Sequence, residues 1–248
     1  MGKELLWGYI GKTGEIEIKP SFHEARNFSE GLAMVRIDYQ RGYIDKTGNY
    51  LIEPQFIGAG SFRCGLAPVM TDDKWGYIDR EGKFILLPSF GKAGEFHDGL
   101  AFVETSGKYG YIDPGGNLAI PPEFEAAEDF KDGIARVYKD GGWIFIDKTG
   151  TPIPDFQRKD EPWILHYSEG LAVKQMDDKY GYVSEEGEFV IKPKFSQAEP
   201  FHDGLARVRT GRNGKWGFID REGKYPFSGK FNQADDFYEG LARVLTTL

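Results

Sequence analysis

The chain has 248 residues, 40% of them hydrophobic and 15% aromatic, enough apolar surface for a core and too much for a disordered polymer. Its net charge is −8, with lysine and arginine scattered singly, so no basic stripe points to nucleic acid, and no apolar run is long enough to span a membrane as a helix. A single cysteine, Cys64, excludes an intrachain disulfide and a cysteine-built metal site.

The first residues, Met1-Gly2-Lys3-Glu4-Leu5-Leu6-Trp7, contain no apolar leader segment and no cleavage site, so a cytoplasmic location is the default expectation. From Leu5 to Ile10 an aromatic-rich run begins, and it sets a pattern for the rest of the chain. Such runs, for example Lys74-Trp75-Gly76-Tyr77-Ile78, lead to an anchor position held by Gly11, Asp45, Asp79, Asp113, Asp147, Ser184 and Asp220. Three residues later stands a glycine each time: Gly14, Gly48, Gly82, Gly116, Gly150, Gly187 and Gly223. Two strand-forming runs around Asp-x-x-Gly predict a hairpin, with the aspartate accepting backbone N–H groups in the turn.

Nine residues past the anchor comes proline in five of the seven units: Pro20, Pro54, Pro88, Pro122 and Pro193. It is expected to end the second strand, because proline cannot donate to a ladder. A phenylalanine follows (Phe22, Phe56, Phe90, Phe124, Phe195, Phe231), then alanine three later, then another aromatic such as Phe28 or Phe62. That spacing of three predicts one short helical turn under the sheet. The unit closes on Gly-Leu-Ala, once Gly-Ile-Ala, beginning at Gly31, Gly65, Gly99, Gly133, Gly170, Gly204 and Gly240, at intervals of 34, 34, 34, 37, 34 and 36 residues. An acidic residue precedes it in six of seven units.

A fixed period of this length marks an array of one small supersecondary unit. The expectation is therefore all-β, one domain over residues 1–248, built from seven three-stranded meanders of about 34 residues. Apolar residues fall on both faces of the Gly-Leu-Ala strand, so each sheet must be covered on both sides by its neighbours. The leading strand is missing at the N-terminus and the hairpin is missing at the C-terminus, and together they complete a seventh unit. A closed seven-bladed β-propeller is the preferred architecture, with an open β-solenoid or superhelix as the alternative.

Lys-Trp-Gly-Tyr-Ile-Asp-Arg-Glu-Gly at 74–82 and Lys-Trp-Gly-Phe-Ile-Asp-Arg-Glu-Gly at 215–223 resemble the bacterial WG repeat. The Pro-x-Phe and Phe-x-x-Gly-Leu-Ala steps that follow resemble it too, over nearly the whole chain. The resemblance implies an interaction module and brings no catalytic residues with it. Tryptophan gives way to Arg41, Tyr109 and Tyr180 in three units, and the motif glycine to Ile144 in the fifth.

Most chemistry-bearing residues have a structural reading at the repeat phase. The anchor aspartates cap their own turns, and the acids before Gly-Leu-Ala belong to turns as well. His97 and His202 share a phase that also accepts Ser, Arg, Lys and Tyr, which marks an exposed position and no zinc site. Trp7, Trp75, Trp143 and Trp216 are expected to pack inside the repeat. No catalytic constellation, metal site or cofactor motif stands out. The best binding candidate is the break in the fifth unit, Thr151 to Trp163, where Phe156, Arg158, Lys159, Asp160 and Trp163 offer the aromatic and charged anchors typical of interfaces. The expected function is a non-catalytic scaffold for a protein or peptide. The alternative is a lectin-like propeller binding glycan on aromatic platforms, and no nucleic-acid or membrane partner is expected.

Overall fold

The structure, a computed structural model, describes residues 5–154, 167–211 and 214–246. Among these residues every regular element is a β-strand, arranged in small antiparallel sheets. The chain divides into two compact units, one drawn from Met1–Phe28, Lys46–Gly48 and Lys159–Leu248, the other from Ser29–Asp45 and Asn49–Arg158.

The third repeat, in the second unit, shows the plan. Its sheet runs Phe84–Phe90, Lys74–Ile78, Ala67–Thr71, Gly58–Ala59 in order. The Gly-Leu-Ala strand is central, with Ala67 opposite Ile78 and Val69 opposite Gly76. It starts from a two-residue hairpin: Arg63 and Leu66 exchange backbone hydrogen bonds, while Cys64 and Gly65 both take positive φ (53° and 77°). Two successive left-handed residues define the turn that matches strand twist, which favours glycine at the second position. The aromatic strand then turns at Asp79, whose Oδ1 accepts the amides of Glu81 (3.1 Å) and Lys83 (2.8 Å). The expected turn capping by the anchor is thus present.

Two local expectations are corrected. The segment read as a helical turn is instead a fourth, two-residue strand, as at Gly58–Ala59, Lys92–Ala93 and Gln233–Ala234. It pairs with the Gly-Leu-Ala strand, for example Ala93 with Val103. The alanine spacing reflects room under the sheet, where Ala25, Ala59 and Ala234 are buried. Proline does not end the second strand either. Phe84–Phe90 runs through Pro88 as a bulge: Leu86 opposes Tyr77 and Phe90 opposes Trp75, so four steps on one strand match two on the other. The bulge needs no ladder donor at the proline, which is why proline is accepted there.

The bulge explains the glycine of the Trp-Gly motif. A β-carbon on Gly76 would lie 2.5 Å from the Leu86 carbonyl oxygen and 2.8 Å from the Pro88 nitrogen. Gly8, Gly42, Gly110 and Gly181 face Pro20, Pro54, Pro122 and Pro193 in the same way. The seventh repeat has no proline at this step, and there a β-carbon on Gly217 would meet the Tyr225 ring at 3.0 Å and the Gly229 backbone oxygen only at 3.8 Å. The motif glycine and the distant proline are two halves of one backbone crossing.

Within each unit the core lies between consecutive sheets. Leu66, Tyr77, Phe96, Ala101, Val103 and Ile112 form one cluster in the second unit, drawn from the third and fourth repeats. In the first unit, Ile10 packs with Leu205, Phe218, Ala234, Phe237 and Val244. The largest fully buried side chains are the tyrosines two residues after the motif tryptophan position: Tyr9, Tyr43, Tyr77, Tyr111 and Tyr182. Each hydroxyl donates to a backbone carbonyl 17 residues on, such as Tyr77 to Gly94 at 2.8 Å and Tyr111 to Glu128 at 2.7 Å. Each ring also meets the aromatic of the Phe-x-x-Gly step, with centroids 4.7 Å apart for Tyr111 and Phe130. A buried phenol needs a partner, and this one ties the edge strand to the aromatic strand.

Within the first unit, Leu6–Gly11 pairs along its whole length with Leu241–Thr246, Leu6 opposite Thr246 and Gly11 opposite Leu241. Residues from the two ends of the chain thus share one sheet, in the order Ile16–Phe22, Leu6–Gly11, Leu241–Thr246, Gln233–Ala234.

Candidate functional site

The acids before Gly-Leu-Ala do more than shape their own turns. Four of them, Glu30, Asp98, Glu169 and Asp203, reach forward with the side chain to the turn glycine of the next repeat. Glu30 accepts the Gly65 amide at 2.9 Å and Asp98 the Gly133 amide at 2.7 Å in the second unit. In the first unit Glu169 accepts the Gly204 amide and Asp203 the Gly240 amide at 2.7 Å. Cations beside the anchor bind the backbone carbonyls of the same acids: Lys148 that of Asp98, Arg221 that of Glu169, and Lys46 that of Glu239 at 2.9 Å. The turn glycines pack likewise, a β-carbon at Gly82 meeting Ile52, one at Gly48 meeting Ile18, and one at Gly14 meeting Phe227. The repeating polar residues are therefore occupied as joints. Among the described residues no group of His, Cys, Asp and Glu is placed to hold a metal ion. No described helix is long and apolar enough to cross a membrane.

His97 is not a free surface position. It is half-buried, with Nε2 3.7 Å from Asp129 Oδ2, while His202 stacks on Tyr238 at 5.2 Å. In the first unit a denser charge cluster forms. Arg207 Nε meets Asp236 at 3.1 Å, and Asp235 bridges Arg207 and Arg243. Beside it, burial raises the Glu199 carboxyl above its ordinary value; Arg207 opposes that shift and Asp236 and Asp235 reinforce it.

The motif tryptophans correct the expectation of uniform packing. Trp216 is 8% exposed and held between Arg207 and Arg209, whose guanidinium carbons lie 4.5 and 4.3 Å from its ring centroid. Trp7 is half-buried under Arg243 at 4.7 Å. Trp75 is also half-buried. The Trp216 and Trp7 rings serve as shelves for guanidinium groups, an arrangement stabilised by the negative ring face.

Trp143 departs from this set, being 47% exposed. In the other repeats the residue at its step sits opposite the Pro-x-Phe phenylalanine, as Trp75 does opposite Phe90 and Tyr109 opposite Phe124. In the fifth repeat that position in the sequence is Arg158. Trp143 lies on the strand Gly142–Asp147, opposite Tyr138, whose ring centroid is 5.4 Å away. Arg136 stacks on it at 4.4 Å and is held in turn by the Glu128 carboxylate. Lys139 bridges to Glu123 at 3.0 Å. The result is an exposed aromatic face with a fixed guanidinium, rimmed by charge. All five candidate residues read from the sequence (Phe156, Arg158, Lys159, Asp160 and Trp163) lie outside the described residues. Sequence reading placed the break in the fifth repeat and assigned Trp143 to packing. The signal in the sequence was the absence, eleven residues past Asp147, of the phenylalanine that the other six repeats carry at that step.

A family model described as "WG containing repeat" matches residues 7–40, 42–75, 75–109, 109–143, 180–216 and 216–246. The unmatched stretch includes the irregular fifth repeat. No protein of curated function matches the chain. Among solved structures, Hsv2p of Kluyveromyces lactis is similar at 8% identity, covering 81% of this chain and 74% of that one, with a TM-score of 0.38. PorZ, a surface component of the type-IX secretion system of Porphyromonas gingivalis, is similar at 11% identity over 87% of this chain and 36% of that one, TM-score 0.39. A protein of unknown function from Bacteroides caccae is similar at 16% identity over 89% and 90%, TM-score 0.34. Scores this low carry nothing from those proteins to this one. The six matches of the repeat model span most of the chain and coincide with the strand, turn and glycine pattern described above, so the chain belongs to the WG-repeat family.

Proposed function

We propose that this protein is a non-catalytic repeat scaffold that presents the fifth repeat to a protein or peptide partner. The carrying observation is Trp143, an aromatic ring left exposed where its counterpart Trp216 is buried between guanidinium groups. Aromatic and arginine side chains of this kind dominate binding energy when a partner covers them. The polar groups of the regular repeats are engaged in turns and in joints between repeats, which favours a supporting role over chemistry. The scaffold is proposed to be a closed ring of seven blades. Support comes from the pairing of Leu6–Gly11 with Leu241–Thr246, and from Gly14 meeting Phe227 as Gly82 meets Ile52. The glycan-binding alternative requires one exposed aromatic pocket per repeat, whereas the four motif tryptophans differ in exposure.

The test is affinity capture with the full chain, with Trp143→Ala, and with a variant lacking residues 155–161. A partner retained by the wild-type chain and lost from both variants, at unchanged melting temperature, supports the reading. Equal capture by all three overturns it. Saturable glycan binding abolished by Trp143→Ala would replace it with the lectin reading.

A further inference from the structure

A second departure from the repeat lies in the second repeat. The hairpin tips of the regular units carry small or acidic residues: Asp72-Asp73, Ser106-Gly107, Asp140-Gly141 and Asp177-Asp178. In the second repeat the tip is Asp38-Tyr39, and Tyr39 stands 88% exposed. Below it runs an open groove of about 620 Å³ along the outer strand Tyr50–Phe56, lined by Tyr39, Gln40, Tyr50, Glu53 and Pro54 with the Ile37-Asp38 tip. The steps of Tyr50 and Glu53 hold Phe84 and Leu87 in the third repeat, and Phe189 and Lys192 in the sixth, so this combination is not a product of the repeat pattern.

We propose that the groove binds an extended, proline-containing peptide segment with a basic side chain. The two tyrosine rings and the flat face of Pro54 offer successive apolar surfaces on which prolyl rings can lie. Tyrosine does this at low entropic cost, since only two torsions are frozen. A polyproline II segment makes no internal hydrogen bonds, so its carbonyls need outside donors. The tyrosine hydroxyls and the Gln40 amide are donors of that kind, and aromatic-lined grooves are the usual seat of such ligands.

The charge of the ligand follows from the groove wall. Glu53 is exposed and makes no ion pair among the described residues, and its carboxylate adds to burial in raising the Tyr50 phenol above its ordinary value. The two neighbouring arginines are turned to backbone carbonyls, Arg36 to that of Asp38 and Arg41 to that of Ile57. The carboxylate open to a ligand is thus Glu53, and it complements lysine or arginine. The groove shares no residue with the Trp143 surface, so either site can fail without the other.

The test uses the intact chain and a short fluorescein-labelled peptide of Pro-x-x-Pro repeats ending in arginine, read by anisotropy. Saturable binding is expected. Tyr39→Ala and Tyr50→Ala should each weaken it about tenfold. Glu53→Gln should weaken it by roughly fivefold and flatten its dependence on salt. Tyr39 is nearly free of contacts, so its variant should melt with the wild type, and Trp143→Ala should bind the peptide unchanged. The proposal is overturned if binding does not saturate, if Tyr39→Ala binds as well as the wild type, or if an alanine-for-proline peptide binds equally. Saturation of the same tyrosines by an oligosaccharide in place of the peptide would also overturn it.

Discussion

Replacing Gly76 by alanine tests the link between the motif glycine and the proline bulge. The added methyl would sit 2.5 Å from the Leu86 oxygen, 2.8 Å from the Pro88 nitrogen and 3.0 Å from the Leu87 carbonyl carbon. All three are backbone atoms, so no side-chain rotation relieves the contact. The outer strand must move away by most of an ångström, and the Leu86–Tyr77 and Phe90–Trp75 pairings are the ones at risk. Losing two or three net backbone hydrogen bonds costs about 2–3 kcal/mol, and the residual overpacking adds roughly 1–2 kcal/mol. Against this, alanine lowers the entropy of the unfolded chain, worth about 0.4–1 kcal/mol. The net expectation is a loss of about 3 kcal/mol. Gly217→Ala is the control. Its closest neighbour is the edge of the Tyr225 ring, which can swing aside, so its loss should stay below about 1 kcal/mol. Urea unfolding followed by circular dichroism, with midpoint and slope both fitted, measures each. The reasoning fails if Gly76→Ala unfolds within error of the wild type, or if the two variants lose equal stability.

Tyr111→Phe keeps the ring packing against Phe130 but leaves the Glu128 carbonyl without its donor, so a loss of about 1–2 kcal/mol is expected in the same assay. Cys64 stands where six repeats carry an acid; Cys64→Asp should give the Gly99 amide an acceptor and stabilise the chain by about 0.5–1 kcal/mol, and an unchanged or lower melting point would refute the forward-reaching joint. The Glu199 carboxyl titrates above its ordinary 4.5, so the folded state holds this proton more tightly than the unfolded state. Stability from this group is therefore present at acid pH and lost as pH rises through the raised value. Glu199→Gln should raise the melting temperature at neutral pH and show no gain below pH 4.5, and a gain that grew towards acid would contradict the sign.

Much of the local structure was legible because it depends on short-range chemistry. Asp79 and Gly82 mark a turn through their own backbone preferences, and the alternation in Lys74–Ile78 marks a strand. The helical turn before Phe62 was misread, since spacing of three fits both a helical turn and a two-residue strand followed by a bend. Pro88 was misread because a bulge is defined by the partner strand, and the five prolines opposite five motif glycines acquire meaning only when both strands are in place. The tyrosine hydroxyl bonds span 17 residues and give no local signal. Of the candidate site, the break in the fifth repeat was visible as lost periodicity, whereas the exposure of Trp143 depends on what the fold packs around it and has no signal at its own position.

The sequence by itself determined the repeat, its period, its hairpin turns, its all-β character and its family, because each rests on residue chemistry repeated at fixed spacing. Tertiary structure decided which identical-looking residues differ in role. Trp143 and Trp216 occupy one phase, yet one faces solvent and the other lies between two guanidinium groups. Glu30 and Asp98 look like turn formers, yet their carboxylates hold the next repeat. Burial and partnership are set by atoms from strands distant in sequence, and a one-dimensional pattern carries the phase of a side chain but not what the fold brings against it.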